Sequence, residues 1–131
     1  MKTILFHKLL MVSTVLLIVS GAMAKTVQVG SCLPSLQIYP TISQAVIAVT
    51  PGSTILVCPG TYPEQVTITQ PLTLRGVQSG NAANPTITVP AGGLTQSVIA
   101  PTNGIKMFFQ VLVQDTGSGF VNISNIAETV T

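Results

Sequence analysis

Charge is scarce in this sequence. Asp, Glu, Lys and Arg together make up 6% of it. Beyond residue 24, three cations (Lys25, Arg75, Lys106) stand against three anions (Glu64, Asp115, Glu128). A neutral chain of this kind has no electrostatic reason to seek nucleic acid or an anionic membrane. The only histidine is His7. Without another, the Ser–His and Cys–His pairs of nucleophilic catalysis cannot be assembled. Two cysteines with no histidine fall short of the four ligands a structural zinc ion takes. Three scattered acids cannot build the oxygen-rich shell that calcium requires. Neither a metal nor a cofactor is expected.

What is present begins with an export signal. Lys2 and Lys8 form a positive start, Leu9 to Ser20 an apolar run, and Ala22 and Ala24 the small residues that precede a signal-peptidase cut. The run is shorter than the roughly 20 apolar residues of a spanning helix, and Ser13 and Thr14 interrupt it. Residues 1–24 therefore read as a signal peptide cleaved after Ala24. Residues 25–131 read as one domain, secreted or periplasmic, with no stable membrane insertion after cleavage.

Two cysteines, Cys32 and Cys58, remain in a chain bound for an oxidising compartment. They allow a single pairing. A bridge over that span would stabilise by roughly 3 kcal/mol through loop entropy. The alternative is two buried free thiols.

The pattern along the chain is mostly of period two. "KTVQV" at Lys25–Val29 reads as a first strand, and Gly30 and Pro34 break the segment after it. Ile42, Ala45, Val46 and Val49 then fall at i, i+3, i+4 and i+7, which predicts a short helix over 41–49. Thr41 or Ser43 can cap its start, and Pro51-Gly52 ends it. From Thr54 onward "TILVC", "QVTIT", "LTLRG", "TITV", "SVIA", "FFQVLVQ" and "FVNISNI" read as short strands with Gly- and Pro-bearing corners between them.

Apolar pairs recur among these strands. Val66 and Ile68 return as Ile87 and Val89, then as Val111 and Val113. Leu74 returns as Val98 and Val121. The spacing is 21 to 24 residues throughout. Such offsets predict successive turns of a parallel β-helix, two to three rungs long, in an all-β domain with one capping helix. A β-sandwich of hairpin-linked strands is the alternative fold. In the helical reading, strands 54–58 and 65–69 are neighbouring faces of one coil that turns at Cys58-Pro59-Gly60. Ile55, Val57, Val66 and Ile68 point into its core, and Tyr62 packs near the corner. The helix at 41–49 covers the first rung, as the end of a solenoid requires.

The residues from Tyr39 to Gly76 carry a likeness. Ile42-x-x-Ala45, Pro51-Gly52-x-x-Ile55-x-Val57, Pro59-Gly60-x-Tyr62-x-Glu64 and Leu72-x-Leu74-x-Gly76 follow one another over 38 residues. This segment resembles the N-terminal module of right-handed parallel β-helix proteins of the pectin-lyase-like superfamily. The resemblance implies that fold. It is poor for function, because one scaffold hosts many activities.

Pectin methylesterases, which share the module, use two Gln, two Asp and one Arg from rungs well beyond it. Gln114-Asp115-Thr116 resembles their Gln-Asp-Thr segment, in which the Asp is general acid/base. Asp115 lies too near the start for that rung, and no second Asp is present to act as nucleophile. A turn residue bonding its own backbone is the plainer reading of Asp115. Glu64 can pair with Arg75, a bond worth about 0–1 kcal/mol if exposed. Asn122-Ile123-Ser124 fits an N-glycosylation sequon or an outward polar ladder.

The expectation is a non-enzymatic module, structural or weakly glycan-binding, with a polysaccharide or cell-surface glycan as partner. The alternative is the N-terminal part of a carbohydrate-active esterase or lyase. "FVNISNIAETVT" keeps a strand pattern to the last residue, with no capping helix. The last rung is therefore expected to self-associate, or to depend on a continuation, through its unpaired edge.

Overall fold

Strand pairing is parallel almost throughout, and it joins strands that lie far apart in the chain. The computed structural model describes residues 21–100, 104–114 and 116–129. In chain order its elements are β1 (Thr26–Val29), β2 (Ile38–Tyr39), α1 (Ile42–Ala48), β3 (Thr54–Val57), β4 (Thr61–Pro63), β5 (Val66–Ile68), β6 (Leu72–Gly76), β7 (Thr86–Thr88), β8 (Gln96–Ala100), β9 (Ile105–Phe108), β10 (Val111–Val113), β11 (Val121–Ser124) and β12 (Ala127–Thr129). The chain is thus mostly strand, with a single short helix among the described residues.

Three parallel sheets form. One has the order β11-β6-β3-β1-β2, a second β12-β7-β4, and a third pairs β10 with β5. From β3 onward the chain visits them in a fixed cyclic order. β3 lies in the first sheet, β4 in the second, β5 in the third, and β6 returns to pair with β3. The next circuit runs β6, β7, β10 and ends at β11, and β12 follows on β7. The β8–β9 hairpin, the one antiparallel pair among the described residues, interrupts that second circuit. Sandwich pairing, which is antiparallel, is confined to this hairpin.

The alternation of side chains decides what is inside. Ile55, Val57, Val66, Ile68, Leu74 and Ile87 are fully buried, while Thr67 and Arg75 between them are exposed. Each such aliphatic side chain contributes about 1.5–3 kcal/mol by leaving water. Helix α1 adds Ile42, Ala45 and Val46 from one face, with Val49 at its end. It packs against β5, β1 and β3. Thr41, not Ser43, is the N-cap residue: its hydroxyl accepts from the Gln44 amide at 3.1 Å.

Two expectations are corrected. Cys58-Pro59-Gly60 does not turn one strand directly into 65–69, because β4 intervenes as a third face. The 21-to-24-residue period also fails. Val66 and Ile68 stack directly on Val111 and Val113, and Ile87, expected between them, pairs with Tyr62 in another sheet. Val98 belongs to the hairpin, not to a stack on Leu74. Paired residues are 19 apart in one circuit (Thr54 and Thr73) and 49 apart in the next (Thr73 and Asn122). The second circuit carries a long corner and the hairpin, and a fixed period does not survive such insertions.

Gly76 shows how closely successive turns approach. A β-carbon there would overlap the backbone carbonyl of Asn125, just beyond β11, and come within 2.8 Å of Pro85. Only glycine leaves room for that corner of the next turn.

Candidate functional site

Glu64, Gln65 and Gln70 of the 39–76 segment are bonded to the fold itself. Glu64 follows β4 at a corner beside the start of α1. Its two carboxylate oxygens accept from the backbone N–H of Ile42 and of Ser43, each at 2.8 Å. The Ser43 hydroxyl donates to the same carboxylate at 2.6 Å. Two amides that a helix start leaves without partners are thereby satisfied by a negative charge, which the helix dipole also favours. Gln70, two residues past β5, closes the other end. Its Nε2 donates to the carbonyls of Val46 and Val49, both at 2.8 Å. The two residues flank β5, so one strand carries both clamps of the cap helix. The pairing of Glu64 with Arg75 is therefore overturned: the carboxylate is spent on α1, and Arg75 is exposed.

A second cluster lies on the outer face of the first sheet. Cys32 and Cys58 form the disulfide, with Cα atoms 5.7 Å apart. Val27 and Val29 face the core, so Gln28 between them points outward, yet it is 1% exposed. The segment following Gly30 folds over it. Gln28 Nε2 donates to the carbonyls of Leu33 (2.6 Å) and Leu36 (3.3 Å), and Oε1 accepts from the amides of Cys32 (3.2 Å) and Leu33 (2.9 Å). Its ladder partner Leu56 and the next outward residue, Cys58, are buried as well. Tyr62 donates its phenol to the Cys58 carbonyl at 2.8 Å. Burial first, and the nearby Glu64 charge second, push the phenol above its ordinary value of 10.0.

Gln65 pins the inserted hairpin. Its Nε2 donates to the carbonyls of Thr95 (2.9 Å) and Phe109 (2.7 Å), one at each base of β8–β9, and Oε1 accepts from the Thr95 amide and hydroxyl. Gln110, whose backbone carbonyl accepts from the Val66 amide at 2.8 Å, is buried with neither side-chain amide atom partnered. Sequence reasoning passed over all four glutamines, Gln28, Gln65, Gln70 and Gln110. Glutamine among alternating strand residues reads as a solvated face, and no local pattern distinguishes one that a distant segment covers.

Asp115 and residues 1–20, most of the expected signal peptide 1–24, lie outside the described residues. Asn122 is exposed on β11, in register with Thr73 and Thr54, so it extends an outward polar column. Among the described residues there is no enclosed pocket, no group of three or more His, Cys, Asp or Glu placed to hold a metal ion, and no helix long and apolar enough to cross a membrane. The end of the molecule away from α1 is formed by β10, β11 and β12, each an edge strand of its sheet. Val113 and Ile123 on these edges are 43% and 40% exposed, and Phe120 beside them is 90% exposed.

Comparison with protein-family models, curated proteins and solved structures gives no match.

Proposed function

We propose that this chain is a short right-handed parallel β-helix of the pectin-lyase-like kind, exported from the cytoplasm, which acts as a structural or surface-binding module and not as an enzyme. The observation that carries the reading is the cyclic visiting of three parallel sheets, with a helix over the first turn. Parallel crossovers are right-handed in about 98% of cases. The disulfide fits an oxidising compartment.

The non-catalytic part rests on how the polar residues are used. Glu64, Gln70 and Gln28 are consumed by the fold. Uncharged polar residues repeat in outward columns from turn to turn: Thr54, Thr73 and Asn122 on one sheet, Thr61 and Thr86 on another. Columns of hydroxyls and amides suit weak contact with a hydroxyl-rich polymer, so a polysaccharide or cell-surface glycan is the proposed partner. The open edges of β10, β11 and β12 are the proposed route of self-association.

Co-sedimentation with insoluble neutral and uronic-acid polysaccharides tests the partner, and sedimentation velocity over a concentration series tests association. Demethylation and backbone-cleavage assays on pectin are expected at background. Turnover that vanishes in Asp115→Ala would overturn the non-enzymatic reading. It would favour a second one, in which further turns pair with the same open edges and complete an esterase or lyase.

A further inference from the structure

We propose that the Cys32–Cys58 disulfide is a redox-sensitive latch that closes the segment 30–40 over the outer face of the first sheet, and that the β-sheet core beneath does not depend on it. The segment is held at both ends by hydrogen bonds that do not run through the sulfurs. Before it, β1 pairs with β3 along four residues. After it, α1 is clamped by Glu64 and Gln70. Between these anchors the backbone ties are few. β2 pairs with β1 through two residues, with Gln28 N–H donating to Gln37 and Gly30 N–H to Tyr39. The Lys25 ammonium donates to Gln37 Oε1 at 3.3 Å, and Tyr39 packs against the core. The remaining hold on residues 30–36 is the four-bonded amide of Gln28 and the disulfide.

The two sulfurs are not equivalent. Cys32 is exposed, whereas Cys58 is 3% exposed. A reductant therefore meets Cys32 Sγ first. With a trialkylphosphine, phosphorus bonds to Cys32 Sγ, the S–S bond breaks, and Cys58 leaves as a thiolate. Water then displaces Cys32 from phosphorus. The phosphine is oxidised to its oxide, and the two protons of water end on the two thiols. The new Cys58 thiol is received in place, because its Sγ lies 3.5 Å from Gln28 Oε1. That oxygen also holds the Cys32 and Leu33 amides. Reduction thus removes one tether and sets a third donor against the acceptor of the other. The segment opens, and the N–H groups of Gln28 and Gly30 on the edge of β1 lose their partners.

The test is amide hydrogen exchange on the folded, oxidised protein before and after a non-denaturing phosphine, followed by brief alkylation. The amides of Gly30, Cys32 and Leu33 are expected to exchange at least about tenfold faster after reduction. Those of Thr73 and Val77, which bond Ser53 and Val57 in the core ladder, are expected to keep their protection. Cys58→Ser, which keeps a donor at that position, should show the open pattern without reductant. Unchanged exchange at 30–33 would overturn the latch, since Gln28 alone would then hold the segment. Loss of protection at Thr73 and Val77 together with the segment would overturn it in the other direction, making the bridge a support of the whole fold.

Discussion

Replacing Glu64 by alanine should damage the domain more than any exposed-residue change of similar size. The carboxylate accepts two backbone N–H bonds and one hydroxyl bond at the start of α1. Hydrogen bonds to a charged group contribute about 1.5–3 kcal/mol each. Glu64 is only partly buried, so water can reach the freed donors and the three contributions do not add in full. The loss is set at about 2–4 kcal/mol. Thr41→Ala removes one neutral cap bond from the same turn and should cost about 1 kcal/mol. With roughly 4–8 °C of Tm per kcal/mol in a domain of this size, the two variants should separate clearly in a thermal melt. Urea denaturation gives the free energies, and hydrogen exchange localises them: the amides of Ile42 and Ser43 should lose protection first. Glu64→Gln keeps one acceptor but turns an NH2 toward the Ser43 donors, so it should lose most of what alanine loses. A Glu64→Ala cost no larger than that of Thr41→Ala would refute the clamp.

Three further outcomes follow from particular residues. Gln110→Met should raise stability by about 1–2 kcal/mol, because it removes two buried amide atoms that have no partner; a lower urea midpoint would contradict this. Gly76→Ala should prevent the corner at Asn125 from closing, with a loss of at least about 2 kcal/mol by urea denaturation, selective for protection in β11 and β12; a wild-type melt would show that the turns are not so closely packed. Tyr62 should make the domain alkali-sensitive. Its folded pKa is raised above 10.0, so the stability it contributes is complete below about pH 10 and is lost as the pH rises through the folded value. Tyr62→Phe should lower stability at neutral pH and flatten that alkaline loss, and an unchanged slope above pH 10 would rule the phenol out as its source.

Local periodicity determined much of this protein. The spacing of Ile42, Ala45, Val46 and Val49 specified a helix and its buried face, and the structure places α1 at Ile42–Ala48 with those residues inside. Alternation specified which residues of β3, β5 and β6 face inward, and two cysteines left one pairing, which forms. These are properties of a few consecutive residues, or of simple counting, and a single sequence carries them. Tertiary structure alone decided which strands are neighbours. Val66 stacks on Val111 and not on Ile87, because the lengths of the corners and the inserted hairpin set the register, and apolar pairs look alike wherever they occur. It also decided the fate of the polar residues. Glu64 meets α1 instead of Arg75 because the β4 corner brings it to the helix start. Gln28 is buried because a later segment folds over an outward position. Each depends on groups that the coiling of the chain brings together, and the alternation within one strand carries no information about what will come to lie against it.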